Sequence, residues 1–323
     1  MKEVTIQILI FFVVGIQFDR VRSDPVPIVL WHGMGDSCCF PFSLGGFKKQ
    51  LEAEIPGVYV HSLKIGGNLV TDYESGYFIH PNKQVHAFNF NHIILNSMNY
   101  KKLQIEEVCS AISNNTKLSN GFNAIGFSQG GQFLRALQQR CSSVKIFNLI
   151  SLGGQHQGVF GLPDCPSLSS ATCEYLRESL NYGAYLSWMQ KFLVQATYWH
   201  DPLHEDKYRN FSTFLADINN EKEINQEYVE NLKRLKRLAL VKFMNDTIVQ
   251  PRESQWFGFY RPGQDEEVIE MEETDLYKND RLGLKSMKAS GHLFFLETEG
   301  NHLQFTKEWF VKNILPILTE EQK

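Results

Sequence analysis

Apolar residues occur along the chain in two patterns, as short uninterrupted runs and as longer stretches with a helical period. The short runs have the length and composition of buried strands: Pro27–Trp31, Gly57–Leu63, Gly121–Ile125, Val144–Leu152, Leu238–Phe243 and His292–Leu296. Stretches with helical spacing separate several of them: Ile105–Ile112, Gln132–Arg140, Glu223–Leu238 and Phe305–Leu318. Strands that alternate with helices predict an α/β protein, whose mostly parallel central sheet is flanked by helices.

A further helix is predicted from Tyr175 to Trp199. Its apolar side chains recur every three to four residues, at Leu176, Leu180, Tyr185, Met189, Phe192 and Ala196. In one interpretation this helix packs on the core. In the other it belongs to a helical cap, inserted at about residues 155–236 between the strand after the nucleophile and the strand before the acid, and it roofs a lipid groove. The candidate groove residues in that interpretation are Trp188, Met189, Phe192, Ile248 and Val249.

The N-terminus has the pattern of a secretory signal. Lys2 precedes an apolar run from Val4 to Phe18, shorter than the roughly 20 apolar residues of a membrane-spanning helix. This pattern predicts a signal peptide over residues 1–23 and a mature catalytic domain over residues 24–323. No later segment has spanning length, so we expect no transmembrane segment in the mature chain.

Composition narrows the class of protein. The chain has 323 residues, of which 43% are hydrophobic, which suits one large domain rather than a disordered or fibrous protein. Its net charge of -4 argues against a nucleic-acid partner.

Cysteines and glycosylation sequons both indicate the secretory pathway. The six cysteines are Cys38, Cys39, Cys109, Cys141, Cys165 and Cys173. The sequons are at Asn114, Asn210 and Asn245, the last of which adjoins a candidate active-site residue. The cysteine spacing fits neither a zinc ribbon nor a redox motif, so we expect disulfides whose pairing the spacing leaves open. We expect no bound metal and no cofactor.

The candidate nucleophile is Ser128, at the centre of the Gly-x-Ser-x-Gly motif Gly126–Gly130. A predicted strand precedes the motif and a predicted helix follows it, which is the context in which this motif forms a sharp turn that presents the serine. Glycines on both sides tolerate close backbone approach. Free amides at the head of the helix favour a developing negative charge.

Two further residues complete a candidate catalytic triad. A serine hydroxyl is a poor nucleophile until a histidine accepts its proton, and a carboxylate must hold that histidine in the correct tautomer. On a hydrolase fold the chain order is serine, acid, histidine. Asp246 follows one of the predicted strands, and His302 follows the last of them. We therefore predict Ser128, Asp246 and His302 as the triad.

Backbone amides are the candidate oxyanion donors. The residue after the nucleophile, Gln129, supplies one donor in this arrangement, and an early loop supplies the second. Residues 32–36, His-Gly-Met-Gly-Asp, follow the first predicted strand, which makes Met34 the candidate for the second donor. The alternative is that this segment is only a glycine-rich strand exit.

Five segments closely resemble the lysosomal palmitoyl-protein thioesterases, a family of the α/β-hydrolase superfamily. They are WHGMGDSCC (31–39), GFSQGGQFLR (126–135), GGQHQGVFG (153–161), YWHDP (198–202) and WFGFY (256–260). The likeness extends from about Pro27 to Leu318, although the family pattern has no counterpart for much of residues 86–102.

The resemblance implies an α/β-hydrolase that removes long-chain fatty acyl (palmitoyl) groups from cysteines of lipidated proteins during lysosomal degradation, through an acyl-Ser128 intermediate. Its partners would be S-acylated proteins or peptides and long-chain acyl thioesters, and it would reach the lysosome through the secretory pathway, with secretion as a second destination. The resemblance carries over Ser128, Asp246 and His302 as the triad, with Met34 and Gln129 as oxyanion donors. It also implies the disulfides Cys38–Cys39, Cys109–Cys141 and Cys165–Cys173.

Three other interpretations stay open on the residues. A lipase or carboxylesterase shares the triad but prefers oxygen esters. An acyl-CoA thioesterase differs only in the thiol that carries the acyl group. A non-catalytic binding protein on a hydrolase fold typically lacks a triad residue, whereas this chain has a candidate for all three.

Overall fold

The computed structural model describes residues 24–78, 100–161, 180 and 183–320. The predicted signal peptide over 1–23 and most of the 86–102 segment therefore lie outside the described residues. The strands are β1 Ile28–Trp31, β2 Val60–Ser62, β3 Phe122–Phe127, β4 Ile146–Leu152, β5 Arg237–Phe243, β6 Phe259–Tyr260, β7 Val268–Ile269 and β8 Leu293–Thr298. Six of them form one sheet in the order β2-β1-β3-β4-β5-β8, and all neighbours in it are parallel. Strands β6 and β7 form a separate antiparallel pair.

Helices connect the strands of the main sheet. Their bounds are α1 Leu44–Glu54, α2 Leu69–Ser75, α3 Tyr100–Ser113, α4 Gln129–Arg140, α5 Ser187–Phe192, α6 Glu205–Phe211, α7 Leu215–Ile218, α8 Gln226–Lys233, α9 Asp275–Lys278, α10 Leu284–Ala289, α11 Lys307–Asn313 and α12 Leu315–Thr319. Parallel neighbours need crossover connections of this kind, because a tight hairpin can only join antiparallel strands.

Both faces of the sheet are buried. Along β1, Val29 and Trp31 belong to one apolar cluster, whereas Ile28 and Leu30 belong to the other. Successive side chains of a strand point to opposite faces, so the two clusters cover the two sides of the sheet. The predicted α/β-hydrolase architecture, a mostly parallel sheet flanked by helices, is confirmed.

The prediction of a single helix over Tyr175–Trp199 is wrong for the part of this range that the structure describes. Gly183 is helical, but a turn follows it, α5 has only six residues, and a 3₁₀ turn covers Gln195–Tyr198. The interruption comes from backbone contacts with a distant segment. Leu193 forms an antiparallel bridge with Phe78, and the N–H of the next residue donates to the carbonyl of Tyr77 at 2.9 Å. The extent of the predicted cap at 155–236 stays a prediction.

The helix predicted over Phe305–Leu318 is divided into α11 and α12. The side chain of Thr306 accepts a hydrogen bond from the backbone of Trp309 and so begins α11 at Lys307. Pro316 has no N–H to continue the hydrogen-bond ladder, which divides the two helices near Ile314.

The helix predicted over Glu223–Leu238 is shorter at both ends. The side chain of Asn225 accepts hydrogen bonds from two backbone amides at the start of α8 and so caps it there. At the other end Arg237 already belongs to β5, because it pairs with Asn148 of β4.

Two of the three disulfides that the resemblance implies lie within the described residues. Cys38 is bonded to Cys39, and Cys109 at the end of α3 is bonded to Cys141 just after α4. Cys165 and Cys173 lie outside the described residues.

Replacing Cys109 and Cys141 with alanine should lower the free energy of unfolding by about 3–4 kcal/mol, measured by urea denaturation. The bond closes a loop of 32 residues, and its loss returns that loop's conformational entropy to the unfolded chain. The matched control is the double alanine variant of Cys38 and Cys39, whose bond joins adjacent residues and closes almost no loop. Equal losses in the two variants would contradict the chain-entropy explanation.

Candidate active site

Ser128 lies on a sharp turn between β3 and α4, which we call the elbow. Its backbone has φ 52° and ψ -124°, a conformation that non-glycine residues rarely adopt. A Cβ on Gly126 would lie 2.3 Å from the backbone nitrogen of Gly131, and one on Gly130 would lie 2.3 Å from the carbonyl oxygen of Trp31. Only glycine lets β1, β3 and α4 approach so closely, so the two motif glycines are required by the geometry of the turn.

A continuous chain of hydrogen bonds joins Ser128, His302 and Asp246. The Nε2 atom of His302 lies 3.0 Å from Ser128 Oγ, and its Nδ1 atom lies 2.6 Å from Asp246 Oδ2. Because Nδ1 faces a carboxylate, it carries the proton, which leaves the lone pair of Nε2 directed at the serine hydroxyl. The arrangement can therefore accept the hydroxyl proton as Ser128 attacks an acyl carbon.

The carboxylate of Asp246 is buried, and several donors stabilise its charge. Its Oδ1 atom accepts hydrogen bonds from the backbone amides of Ile248 at 2.8 Å and Val249 at 2.9 Å. Its Oδ2 atom accepts one from Gln255 Nε2 at 2.8 Å, besides the bond from His302. A buried carboxylate needs such partners, because burial without them would favour its neutral form.

Gln255 and Asn301 support the triad, and the sequence analysis did not identify them. Gln255 lies in a 3₁₀ turn after β5, and nothing in its local sequence distinguishes it from a surface glutamine. The Oδ1 atom of Asn301 accepts hydrogen bonds from the backbone amides of His302 at 2.7 Å and Thr247 at 3.1 Å. It thereby joins the loop of the acid to the loop of the histidine. An asparagine directly before the candidate histidine was the one available signal, since asparagine side chains often organise turns.

The two residues predicted as oxyanion donors both lie near Ser128. Gln129 is the first residue of α4, so its N–H has no partner within the helix. The loop after β1 also comes close, since a Cβ on Gly33 would lie 3.2 Å from Ser128 Cβ. Met34 follows on this loop, and its sulfur accepts a hydrogen bond from Gln195 at 2.8 Å. The structure brings both residues to the elbow, while their role as donors stays a prediction.

The five candidate groove residues fall into two groups. Ile248 and Val249 follow the acid directly, and Val249 is buried. Trp188, Met189 and Phe192 lie on α5, where Met189 is buried while Trp188 and Phe192 are 55% and 49% exposed. Large apolar side chains with that exposure are available to contact a ligand. Their assignment to an acyl groove stays a prediction.

All three sequon asparagines are exposed, namely Asn114, Asn210 and Asn245. The side-chain amide of Asn245 donates a hydrogen bond to the carbonyl of Glu299, on the loop that leads to His302. Glycosylation at the three positions stays a prediction.

Neither a metal-binding cluster nor a membrane-spanning helix occurs in the part of the chain that the structure describes. No group of three or more His, Cys, Asp or Glu side chains there is arranged to hold a metal ion. Within the same residues, none of the helices combines the length and apolar character needed to cross a membrane.

Comparison with known proteins finds one family whose sequences match most of the chain. A family model described as palmitoyl protein thioesterase matches residues 27–302. "Palmitoyl-protein thioesterase 1" of Caenorhabditis elegans is 47% identical over 296 residues, which cover 92% of each chain. "Palmitoyl-protein thioesterase 3" of Dictyostelium discoideum is 34% identical over 298 residues, covering 90% of this chain and 92% of that one.

Two more distant similarities extend the comparison. "Lysosomal thioesterase PPT2" of Homo sapiens is 36% identical over 177 residues, which cover 54% of this chain and 57% of that one. Among solved structures, an esterase of Pyrococcus furiosus aligns with a TM-score of 0.42 at 13% identity, covering 92% of this chain and 80% of that one.

Replacing Gly130 with alanine should lower the free energy of unfolding by about 3 kcal/mol or more, because the new Cβ collides with backbone that cannot move aside. Thermal denaturation measures the change. Gly67→Ala is the matched control, since a Cβ there meets nothing within 4 Å. A Gly130→Ala variant as stable as Gly67→Ala would contradict the close packing of β1 against α4.

Proposed function

This chain belongs to the palmitoyl protein thioesterase family, and on that premise we propose that it hydrolyses long-chain fatty acyl thioesters on the cysteines of lipidated proteins through an acyl-Ser128 intermediate. The observation that carries the proposal is the hydrogen-bonded series from Asp246 through His302 to Ser128, in a chain of this family. A thioester hydrolase needs an activated nucleophile, and this series provides one.

Acylation follows from the geometry. Ser128 Oγ attacks the thioester carbon as His302 Nε2 takes its proton, and Asp246 stabilises the imidazolium that forms. The tetrahedral intermediate carries a negative charge on the former carbonyl oxygen. We assign the backbone N–H groups of Met34 and Gln129 as the donors that stabilise this oxyanion, because Gln129 directly follows Ser128 and the loop that contains Met34 packs against Ser128.

The leaving group explains why such a site suits thioesters. A cysteine thiol has a pKa of about 8.5, far below that of an alcohol, so it departs with little assistance from an acid. Water then attacks the acyl-enzyme, with His302 as the general base, and releases the fatty acid. In both steps the lone pair of His302 Nε2 accepts a proton, first from Ser128 and then from water.

We place the acyl chain against the apolar side chains on both sides of the triad. Val249 lies three residues after Asp246 and is buried, and Met189 is buried on α5, which also has the exposed rings of Trp188 and Phe192. The apolar character and burial of these side chains support the placement, with the thioester carbon at Ser128.

We place the protein in the lysosome, reached by the secretory pathway. The human and rodent relatives whose names include "lysosomal thioesterase" support the destination. The predicted signal peptide, the exposed sequons at Asn114 and Asn210 and the observed disulfides support the route, since disulfides persist in oxidising compartments.

Hydrolysis of a palmitoyl-cysteine peptide should exceed that of the matching palmitoyl-serine peptide, and Ser128→Ala should reduce it by at least about 10⁴-fold. Release of palmitate, followed between pH 4 and 8, measures both. Thermal denaturation of the variant controls for folding. Preference for the oxygen ester would reassign the chain as a lipase or carboxylesterase, and hydrolysis by Ser128→Ala at the wild-type rate would remove the proposed nucleophile.

Asp246→Asn should reduce the turnover rate by about 10⁴-fold while leaving the protein folded. The two backbone amides at Oδ1 keep the amide oxygen at that position, so the new NH2 group faces His302 Nδ1. His302 must then carry its proton on Nε2 and can no longer accept one from Ser128. Turnover close to the wild-type value would show that the carboxylate does not set this tautomer.

A further inference from the structure

A second histidine–aspartate pair lies beside the active site and has no part in the triad. His32 comes directly after β1, and Asp72 lies on α2. His32 Nε2 is 3.1 Å from Asp72 Oδ1, and the two side chains are 1% and 0% exposed. A buried ion pair is costly to desolvate and adds little stability on balance, so its presence calls for a structural or functional explanation.

Asp72 holds three segments of chain together. Besides His32, its carboxylate accepts hydrogen bonds from the backbone amides of Ile65 at 2.6 Å and Cys38 at 2.7 Å. Cys38 lies at the end of the loop that contains Met34. One buried carboxylate therefore fixes both ends of this loop, through His32 at its start and Cys38 at its end.

The contacts of His32 require the charged form of its ring. Its Nδ1 atom lies 2.9 Å from the carbonyl oxygen of Gly33, and its Nε2 atom faces a carboxylate. Both partners only accept hydrogen bonds, so both ring nitrogens must donate. Burial lowers the pKa of His32, but the hydrogen bond and charge of Asp72, the hydrogen bond to the carbonyl of Gly33 and the charge of Asp36 together outweigh it, so the pKa lies above its ordinary value.

The bond to Gly33 determines the direction of the next amide. The carbonyl of Gly33 and the N–H of Met34 belong to one peptide unit, which is planar and trans, so they point in opposite directions. A carbonyl held by His32 therefore turns the N–H of Met34 away from the histidine. This N–H is the second oxyanion donor of the proposed function.

We propose that the buried His32–Asp72 pair positions the oxyanion hole, with His32 fixing the peptide that carries the Met34 N–H. The inference rests on the proposed function. The hydrogen bonds of His32 and Asp72 go to each other and to backbone, not to Ser128, Asp246 or His302, so the pair acts through the backbone of the loop. They are positioning residues.

The residue directly after α2 packs against both proposed donor residues. A Cβ on Gly76, directly after α2, would lie 3.3 Å from Gln129 Nε2 and 3.4 Å from the Cα of Met34. The side chain of Gln129 donates to the carbonyl of Gly76 at 3.1 Å and accepts from the hydroxyl of Tyr198 at 3.3 Å. The same short helix thus contacts the residues of both proposed donors.

The test compares Asp72→Asn and His32→Gln with wild type. Asparagine at 72 places an NH2 donor where a carboxylate oxygen accepts from a backbone amide or from His32. Glutamine at 32 has one side-chain nitrogen, so it cannot reproduce the donation from two ring nitrogens to Asp72 and to Gly33. We expect kcat for a palmitoyl-cysteine peptide to fall about 10- to 100-fold with little change in KM, because a misplaced donor weakens only the transition state.

Two inhibitors of equal chain length separate positioning from general damage. A palmityl trifluoromethyl ketone adds Ser128 Oγ to its carbonyl carbon and places an oxyanion in the hole, whereas the corresponding methyl ketone remains a ground-state ligand. Inhibition by the trifluoromethyl ketone should weaken by the same factor as kcat, while inhibition by the methyl ketone stays constant. Equal weakening of both inhibitors, or of neither, would overturn the proposal.

Ser75→Ala is the matched control for the helix. Ser75 is buried on α2 and donates only to the carbonyl of Asp72 within the same helix. It should change thermal stability without changing the ratio of the two inhibition constants. If Asp72→Asn does not fold, His32→Gln carries the test, because its amide can still donate to Asp72.

The two proposals fail separately. If the wild-type protein hydrolyses no thioester, the proposed function fails, and the ketone pair still reports whether Ser128 forms a stabilised oxyanion. If the wild-type protein is active and the variants keep the wild-type ratio of inhibition constants, only the positioning role of His32 and Asp72 is overturned.

Discussion

The site depends on a steric constraint, the close approach of three backbone segments around Ser128. Gly130 passes so near the carbonyl of Trp31 that no side chain fits, and Gly126 is similarly close to Gly131. This crowding fixes β1, β3 and the start of α4 relative to one another. The crowding forces Ser128 into a strained conformation at the carboxyl edge of the sheet. The loops that follow the other parallel strands begin at the same edge. Because Asp246, His302 and Met34 lie on loops that follow strands of this sheet, they come close to Ser128 at that edge.

Two histidine–aspartate pairs flank the serine, and their surroundings distinguish them. In both, an aspartate stabilised by backbone amides faces one nitrogen of a histidine. The other nitrogen of His302 faces the Ser128 hydroxyl, which can give up a proton. The other nitrogen of His32 faces a carbonyl, which can only accept. The first imidazole is suited to transfer protons, and the second is suited to hold a peptide in place.

The chemistry of the site agrees with the family to which the chain belongs. A thioester needs an activated nucleophile and a stabilised oxyanion more than it needs an acid for the leaving group. The structure contains a buried carboxylate, hydrogen-bonded at both oxygens, that orients the histidine beside Ser128. The proposed oxyanion donors are backbone amides near the same serine. Gln255 and Asn301 add to this arrangement through contacts with Asp246 and with the backbone of His302.

Local sequence by itself determined the elements of the sheet, the elbow motif and the chain order of Ser128, Asp246 and His302, because apolar runs and turn residues act over a few positions. It did not determine where helices stop when distant backbone intervenes, as Phe78 does at Leu193. Nor did it reveal Gln255, or the pairing of His32 with Asp72 across 40 residues. These side chains have no distinguishing local pattern. Their roles exist only once the fold brings a buried charge within hydrogen-bond distance of its partners.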